Sequence, residues 1–390
     1  MVSSKEAKKA SRTIIVRYGE IFLKSGFVFR QFEKKLLENI SRHLKKAGLS
    51  FKIKKERGRI FVFAAKEEEA IRALNNVFGL VSFSPAFFLE TSNPQEIIKF
   101  CQKNFKGFVK KGETFAVRVK RVGQHNYSSQ DLEREIGAII TGKANLKNPD
   151  KEIFVEVRDN NTYIFTKTYR GLGGFPAQTA GKAIVFLSGG IDSPPAAFLI
   201  MKKGCRVVFL HFHSFPLVSK KSIEKCQEII KKLNNYQLES KLILFPFQKI
   251  QLKLKTEAPA KYRIILYRRS MMRLGEKIAK KEKAQALVTG ESLAQVSSQT
   301  LTNLATIEEA IKLPIFRPLI SHDKEEIILI ANKIGTFNIS IKPQEDCCTL
   351  FTPPHPATAA KIEAVKEIEK QVGIEKLESQ LLKETKEIFI

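Results

Sequence analysis

Residues 182–194 read Lys-Ala-Ile-Val-Phe-Leu-Ser-Gly-Gly-Ile-Asp-Ser-Pro. The run from Ala183 to Leu187 is short and apolar and is bounded by turn residues, which is typical of a buried parallel strand. A helix is predicted from Pro194 onward, because proline is tolerated in the first turn of a helix. Between strand and helix, the backbone N–H groups and hydroxyls of residues 188–193 can surround a phosphate at the positive end of that helix. The stretch therefore predicts a phosphate-binding loop.

The type of loop follows from what comes after its glycines. No lysine follows them, so the loop is not the Gly-x-x-x-x-Gly-Lys-Ser/Thr element of motor and switch NTPases. Residues 188–193 instead resemble the PP-loop, Ser-Gly-Gly-x-Asp-Ser, of the ATP pyrophosphatases. Those enzymes cleave ATP between the α- and β-phosphates and adenylate an acceptor. The alternative, a purely structural glycine turn, is disfavoured by the strand–turn–helix context of the match.

Length and composition predict a folded protein of several domains. The 390 residues suffice for two or three domains, and the apolar content of 43% and aromatic content of 9% are those of a soluble protein. No apolar run reaches the roughly 18 residues that span a bilayer. The first residues lack the apolar core of a signal peptide. We expect a cytoplasmic protein with no membrane partner.

The charge predicts a polyanionic partner. Lysine and arginine outnumber aspartate and glutamate by 67 to 40, a net charge of +27, and the excess is spread along the chain. The positive electrostatic field of such a charge attracts polyanions and speeds their association with the protein. Solvated lysine-rich helix faces are the alternative explanation, and charge alone does not identify the polyanion.

The cysteines predict free thiols. There are five of them, an odd number, with no Cys-x-x-Cys pair and no Cys/His spacing suited to zinc. We therefore predict no metal bound by a cluster of protein side chains. The cysteines are Cys101, Cys205, Cys226, Cys347 and Cys348.

Upstream of the loop, strand and helix patterns form two α+β units. The first, residues 1–76, has a β-α-β-β-α order that suits a ferredoxin-like sheet. The second, residues 77–170, includes a predicted strand with alternating cations, Arg118, Lys120 and Arg121, which we expect on one exposed face in contact with phosphates. An ordinary solvated strand face is equally consistent with that pattern. One further strand is predicted over 162–170.

Downstream of the loop, the pattern is that of a doubly wound α/β domain. Residues 171–180 form a glycine-rich linker, and residues 181–390 alternate strands and helices and end in a charged helical tail. Such alternation predicts a parallel sheet with the active site at the carboxyl ends of its strands.

Seven motifs occur in an order that resembles the tRNA 4-thiouridine synthetase family, called ThiI. They are residues 77–85, 181–182, 188–194, 290–293, 295–301, 317–320 and 345–348. The likeness runs from about Thr13 to Pro356. It implies a ferredoxin-like domain, a THUMP RNA-binding domain and a PP-loop ATP pyrophosphatase domain. It also implies that O4 of the uridine at position eight of tRNA is adenylated and then replaced by sulfur, with ATP and Mg²⁺ as cofactors.

The resemblance implies a set of site residues. Those expected to bind ATP are Phe186, Leu187, Ser188, Gly189, Gly190, Asp192, Ser193, His211, Phe212, Arg268, Gly290 and Gln299. Of these, Asp192 would place Mg²⁺, and Gly290 would let the nucleotide approach the backbone. His211 has a second interpretation as a core histidine, and Arg269 is an alternative to Arg268. Lys324 matches a lysine that the family needs for activity.

The resemblance also implies how sulfur is delivered. Cys347 matches the catalytic cysteine, whose thiolate would attack a persulfide or help deliver sulfur. Cys348 is interpreted as structural or auxiliary. Many members carry a rhodanese domain after the PP-loop domain, whereas this sequence ends about forty residues after Cys347. We therefore expect sulfur from a cysteine desulfurase, a separate rhodanese or free sulfide. A role in thiamine synthesis and the homodimer seen in some members stay open.

One motif departs from the family. Bacterial members commonly read Gly-Glu-Ile-x-Leu-Lys-Gly-x-Asn-Arg, whereas residues 19–28 here read Gly-Glu-Ile-Phe-Leu-Lys-Ser-Gly-Phe-Val. The tRNA contacts of that loop are therefore not transferred to this chain. The competing interpretations are another PP-loop enzyme that modifies tRNA, and a non-catalytic THUMP protein that only binds tRNA.

Overall fold

The computed structural model describes residues 10–56, 58–343, 351 and 353–390. The chain divides into two units. The first comprises residues 1–30 and 37–173, and the second comprises residues 31–36 and 174–390.

The first unit is built on one mixed sheet. Its strands are β1 (Ser11–Tyr18), β2 (Phe51–Glu56), β3 (Arg59–Ala64), β4 (Leu80–Leu89), β5 (Thr114–Val122), β6 (Lys143–Ala144), β7 (Lys151–Arg158), β8 (Asn161–Phe165) and β9 (Tyr169–Arg170). Its helices are α1 (Gly26–Lys46), α2 (Glu67–Leu74), α3 (Pro94–Phe105) and α4 (Ser129–Ile139). The strand order is β2-β3-β1-β4-β8-β7-β5-β6, with β9 against β4.

This sheet runs through both predicted α+β domains. Strand β4 pairs antiparallel with β1, from Ser11 opposite Phe88 to Tyr18 opposite Leu80, and it also pairs with β8. A ring contact links two strands that are not neighbours in this sheet: Phe61 of β3 stacks on Tyr163 of β8 with ring centroids 4.2 Å apart. Since β1 and β4 lie between these two strands in the sheet order, the sheet curves to bring the rings together. The boundary at residues 76 and 77 stays a prediction.

The strand predicted over 162–170 is wrong as a single element. The chain leaves β8 after Phe165 and returns as β9, which pairs with β4 through Phe83 opposite Tyr169. Both pieces bond the same neighbouring strand at different positions, so the interruption allows β4 to pair along more of its length. Periodicity does not reveal such a break, because both pieces continue to read as strand.

The second unit is a six-stranded sheet flanked by helices. Its strands are β10 (Lys182–Phe186), β11 (Arg206–His213), β12 (Lys241–Pro246), β13 (Ala286–Val288), β14 (Ile315–Phe316) and β15 (Lys386–Phe389). Its helices are α5 (Ser193–Lys202), α6 (Lys221–Gln237), α7 (Gln248–Glu257), α8 (Arg263–Glu282), α9 (Leu301–Glu308), α10 (Lys324–Lys333), α11 (Phe337–Ser340), α12 (Ile362–Val372) and α13 (Ile374–Leu381).

The order of these strands creates a switch point. The sheet runs β14-β13-β10-β11-β12-β15, and all neighbours are parallel except β12 and β15. The chain moves from β10 outward to β12 and then returns to place β13 on the other side of β10. Ligands of doubly wound sheets bind at the carboxyl ends of strands at this kind of reversal. The predicted fold class, α+β followed by a doubly wound PP-loop domain, is confirmed.

The charged tail, predicted to be helical, ends in a strand. After α12 and α13, the chain forms β15 and pairs antiparallel with β12, from Lys241 opposite Phe389 to Leu244 opposite Lys386. This strand covers the edge of β12, which would otherwise expose unpaired backbone groups. Its composition, Lys-Glu-Ile-Phe, carries only a weak strand signal, so its partner rather than its own propensity makes it a strand.

Among the residues that the structure describes, none of the helices combines the length and apolar character that crossing a bilayer requires.

Candidate active site

The predicted phosphate loop lies at the carboxyl end of β10 and leads directly into α5. Asp192 occupies the N-cap position of α5, but its side chain accepts no hydrogen bond from the first turn. Gly189 has a φ of +80°, a conformation that glycine adopts without strain. Pro194 and Pro195 carry no N–H, and the Ala196 N–H bonds the Asp192 carbonyl. The donors that can face an anion are therefore the N–H groups of Ser193 and of the loop before it, at the positive end of the helix.

The two serines of the loop hold its shape. The Ser188 N–H donates to Ser193 Oγ at 3.2 Å, and the Gly190 N–H donates to Ser188 Oγ at 3.2 Å. The two hydroxyl oxygens are 3.3 Å apart. The loop thus curls around its own hydroxyl groups, with backbone and hydroxyl donors concentrated in one place.

A cavity of about 630 Å³ opens beside the loop, between the ends of β10, β11 and β13 and the side of α8. That volume is within the range of small-molecule sites, about 300–1,000 Å³. The structure brings most of the predicted ATP-binding residues to it. The predicted residues in its lining are Phe186, Leu187, Ser188, Asp192, Ser193, His211, Phe212, Arg268, Gly290 and Gln299. Gly189 and Gly190 belong to the loop but do not line the cavity.

The sequence interpretation missed several lining residues. Met271 and Met272 follow Arg268 on the same helix, and a helical projection from Arg268 would have found them. Glu291 stands directly after Gly290 in one of the seven family motifs. The remaining additions are Leu210, Ile264, Thr289, Gln295, Val296, Ser297, Ser298 and Pro356.

One half of the cavity is apolar. Phe186 and Phe212 lie at the carboxyl ends of neighbouring parallel strands, and their rings meet edge to face with centroids 5.3 Å apart. Together with the two methionines of α8, they form a wall against which a flat heterocycle can pack.

His211 lies under the loop with both ring nitrogens bonded. Nδ1 is 2.7 Å from the Leu187 carbonyl oxygen, and Nε2 is 3.1 Å from Ser222 Oγ. A carbonyl only accepts, so Nδ1 carries the proton and Nε2 accepts from the serine hydroxyl. Burial lowers the pKa of His211 to about 4. The neutral ring therefore holds the end of β10, and nucleotide contact through it stays a prediction.

The structure separates the two candidate arginines. Arg268 lines the cavity and donates to Glu291 Oε1 at 2.6 Å. Arg269 points elsewhere on α8 and forms a paired contact with Glu369 of α12, at 3.0 and 2.9 Å. Of the two, Arg268 therefore faces the cavity and Arg269 anchors the following helices, while nucleotide contact by Arg268 stays a prediction.

Gly290 and Gln299 contribute in different ways. A Cβ on Gly290 would lie 2.9 Å from the carbonyl carbon of Asp192 and from the nitrogen of Ser193, so the glycine allows β13 to approach the loop backbone. The family resemblance implied a different purpose, close approach of the nucleotide. Gln299 is buried, and its Oε1 has no hydrogen-bond partner among the described residues. An unused acceptor beside a cavity suits a ligand that donates an N–H.

Lys324 reaches the loop from α10. Its Nζ is 2.6 Å from Asp192 Oδ1, with the two side chains 43% and 28% exposed. A capping box between Asp323 and Glu326 fixes the start of α10 and so the base of this lysine. The site therefore joins a lysine and an aspartate that are 132 positions apart in the sequence.

Two other predictions concern thiols and metals. Cys347 and Cys348 lie outside the described residues. In the part of the chain that is described, Cys101, Cys205 and Cys226 form no disulfide, and no group of three or more metal-ligating side chains occurs.

The three predicted RNA-binding cations do not share one face of β5. Lys120 is exposed. Arg118 donates to Glu152 at 3.1 Å and to the Leu146 carbonyl at 2.6 Å. Arg121 lies on the opposite face, where it donates to Ser129 and covers the Tyr127 ring at 5.3 Å. The expectation of a common face was wrong for Arg121, because adjacent positions of a strand point to opposite sides.

Comparison with known families accounts for most of the chain. The family described as thiamine biosynthesis protein (ThiI) matches residues 178–374. The ThiI ferredoxin-like domain matches residues 13–84, and the THUMP domain matches residues 91–167.

Individual relatives agree with these matches. A probable tRNA sulfurtransferase of Moorella thermoacetica is 40% identical over 95% of each chain. Another, of Thermoanaerobacter sp., is 42% identical over 93% of this chain and 96% of its own. A solved structure of a 4-thiouridine synthetase–RNA complex with bound ATP superposes with a TM-score of 0.89 at 35% identity, covering 97% of this chain and 100% of that one.

Proposed function

The chain belongs to the ThiI family, and from this premise we propose that it is an ATP-dependent tRNA sulfurtransferase. It adenylates O4 of the uridine at position eight of tRNA and replaces that oxygen with sulfur, forming 4-thiouridine, AMP and pyrophosphate. The observation that carries this proposal is the PP-loop opening into the same cavity as the Phe186–Phe212 wall, at the switch point of the sheet.

The cavity suits the first step, which is attack of the uracil O4 on the α-phosphorus with departure of pyrophosphate. An oxygen at C4 leaves poorly, and its coupling to AMP converts it into a good leaving group. The loop N–H groups and hydroxyls, at the positive end of α5, bind the departing pyrophosphate. The Lys324 ammonium, already beside the loop, offsets the negative charge that grows as that bond breaks.

The apolar half suits the adenine of ATP. The Phe186–Phe212 wall packs against the base, and the free Oε1 of Gln299 accepts from a base N–H. Arg268 lines the same cavity from α8, and we propose that its guanidinium contacts a phosphate of ATP.

The side chains also fit Mg²⁺ carried by the substrate. Asp192 is one partly exposed carboxylate beside the phosphate loop, and Mg²⁺ is commonly held by one or two carboxylates together with substrate phosphates. When bound, Mg²⁺ neutralises phosphate charge.

Cys347 serves the second step, in which sulfur attacks C4 and AMP leaves. With a persulfide donor outside the chain, a cysteine desulfurase or a separate rhodanese, the Cys347 thiolate takes the outer sulfur and the donor cysteine leaves as a thiolate. The outer sulfur of the Cys347 persulfide then attacks C4 and expels AMP, and a thiol reductant cleaves the remaining S–S bond to release 4-thiouridine. Free sulfide instead attacks C4 directly and does not pass through Cys347. The described cysteines suit this role poorly. Burial raises the pKa of Cys101 to about 12 and raises that of Cys205, so both remain thiols at neutral pH.

The tRNA is held by the basic first unit. Its THUMP match, together with the net charge of +27, supports this assignment. Of the three cations predicted on β5, Lys120 is the exposed residue, so we propose it as a direct phosphate contact. We propose that the protein acts in the cytoplasm, where tRNA and ATP are found.

The test is a reconstituted reaction. Purified protein, unmodified tRNA, Mg-ATP and sulfide should yield AMP, pyrophosphate and 4-thiouridine, the last detected by its absorbance and by mass spectrometry of nucleosides. Asp192→Asn should abolish AMP formation. Cys347→Ala should form AMP but lose thiolation driven by a persulfide donor.

Each failure has its own meaning. Thiolation at another nucleotide would identify a different PP-loop modifying enzyme, and tRNA binding without AMP would identify a non-catalytic binder. Normal persulfide-driven thiolation by Cys347→Ala would remove the role proposed for that cysteine.

A further inference from the structure

Glu291 is a buried carboxylate placed between two arginines beside the nucleotide cavity. It follows Gly290 at the carboxyl end of β13, lines the cavity and is 2% exposed. Oε1 accepts from Arg268 at 2.6 Å, and Oε2 accepts from Arg317 Nε at 2.9 Å and from the Thr289 hydroxyl at 2.8 Å. Three donors thus converge on one carboxylate.

The two arginines that contact Glu291 differ in their other ion pairs. Arg317 has a second carboxylate, Glu308, whose Oε2 lies 2.7 Å from Nη1 and whose side chain is half exposed. Arg268 has no second carboxylate partner among the described residues, and its Nε is buried without a hydrogen-bond partner. The orientation of Arg268 therefore depends on Glu291.

We propose that Glu291 is the positioning residue for Arg268 in the nucleotide site. It fixes Nη1 of the guanidinium and leaves Nη2 for the phosphates of ATP. A carboxylate suits this position because it only accepts hydrogen bonds, and all three groups facing it are donors. A glutamine there would turn its NH₂ group toward one of them and release or rotate an arginine. This inference rests on the proposed function, since it assigns a residue to its ATP site.

The experiment is a double-mutant cycle read by ATP binding. Glu291→Gln and Arg268→Gln should each weaken ATP binding by about tenfold or more, since a charge-assisted contact is lost. If Glu291 acts through Arg268, the double variant should bind no more weakly than Arg268→Gln alone. Isothermal titration with a non-hydrolysable ATP analogue and Mg²⁺ measures all four proteins.

Glu308→Gln is the matched control. It removes the contact at the solvent end of the same network, leaves Arg268 untouched and should bind the analogue like the wild type. Glu291→Asp keeps the charge, so it should recover part of the affinity that Glu291→Gln loses. It also replaces that variant in the cycle if Glu291→Gln does not fold.

Additive losses in the double variant would overturn the positioning role, as would wild-type affinity in Glu291→Gln. A wild-type protein that fails to bind the analogue would instead overturn the proposed function. The two failures are thus separated by the same titration.

Discussion

At Gly290 the chain comes so close to the phosphate loop that a single methyl group has no room. A Cβ would meet the backbone of Asp192 and Ser193 at 2.9 Å, and backbone atoms cannot move aside as a side-chain end can. Gly290 therefore sets how closely the chain that follows β13 lies against the phosphate loop, at the border of the nucleotide site.

Gly290→Ala should therefore push the loop out of position and weaken ATP binding by about tenfold or more, while the protein still folds. Titration with the ATP analogue and a thermal unfolding curve measure the two effects. Gly137→Ala, in α4 where an added Cβ meets nothing within 4 Å, is the matched control and should bind like the wild type. Unchanged affinity in Gly290→Ala would contradict this account.

His211 makes stability depend on pH. Its pKa is lowered from 6.5 to about 4 by burial, so between these values the unfolded chain binds a proton that the folded chain excludes. Stability is therefore complete above pH 6.5 and falls as the pH drops toward 4. His213, whose pKa is also lowered to about 4 by burial, adds to the effect.

In His211→Gln, the unfolding free energy should change less with pH. Between about pH 5 and 6.5, the slope of the unfolding free energy against pH should correspond to about one fewer proton taken up on unfolding than in the wild type. Urea unfolding at several pH values measures this slope. A slope equal to that of the wild type would show that His211 is already protonated in the folded protein, or that it is accessible to water.

At the scale of elements, strong periodic patterns were predictable and short paired strands were not. β10, α5 and β11 follow from apolar runs and a proline at a helix start. β9 and β15 are two and four residues long, and each exists because a neighbouring strand has unpaired backbone groups. Local sequence does not encode the location of that neighbour.

The register of β15 predicts an asymmetric response to proline. Ser240 and Ile390 exchange both backbone hydrogen bonds, so by alternation Ile388 bonds Leu242 while the N–H of Phe389 points away from β12. Ile388→Pro should lower the unfolding free energy by about 2 kcal/mol, whereas Phe389→Pro should cost less than about 1 kcal/mol. Urea unfolding compares the two, and equal losses would refute the register.

At the scale of the whole molecule, charge is the property that matters for tRNA. An excess of 27 positive charges makes binding depend steeply on salt, because each phosphate contact releases a counterion. The charge does not act uniformly, since cations such as Arg118 are already paired with carboxylates of their own unit.

Lys120→Ala should weaken tRNA binding and reduce the slope of log affinity against log salt by about one. Filter binding over a range of KCl concentrations measures both. Lys249→Ala is the control, because that lysine is exposed but pairs with Glu384 on the second unit. A slope unchanged in Lys120→Ala would exclude this lysine as a phosphate contact.

The amino-acid sequence by itself determined the PP-loop, the kind of sheet that carries it and the polyanionic partner, because these depend on local patterns and on composition. Only the tertiary structure decided that Arg268 rather than Arg269 faces the cavity. It also decided that Gly290 packs against the backbone of the phosphate loop and that Glu291 accepts hydrogen bonds from two arginines. Each of these depends on which residues from distant positions become neighbours, and that is settled by the order and spacing of strands in the sheet.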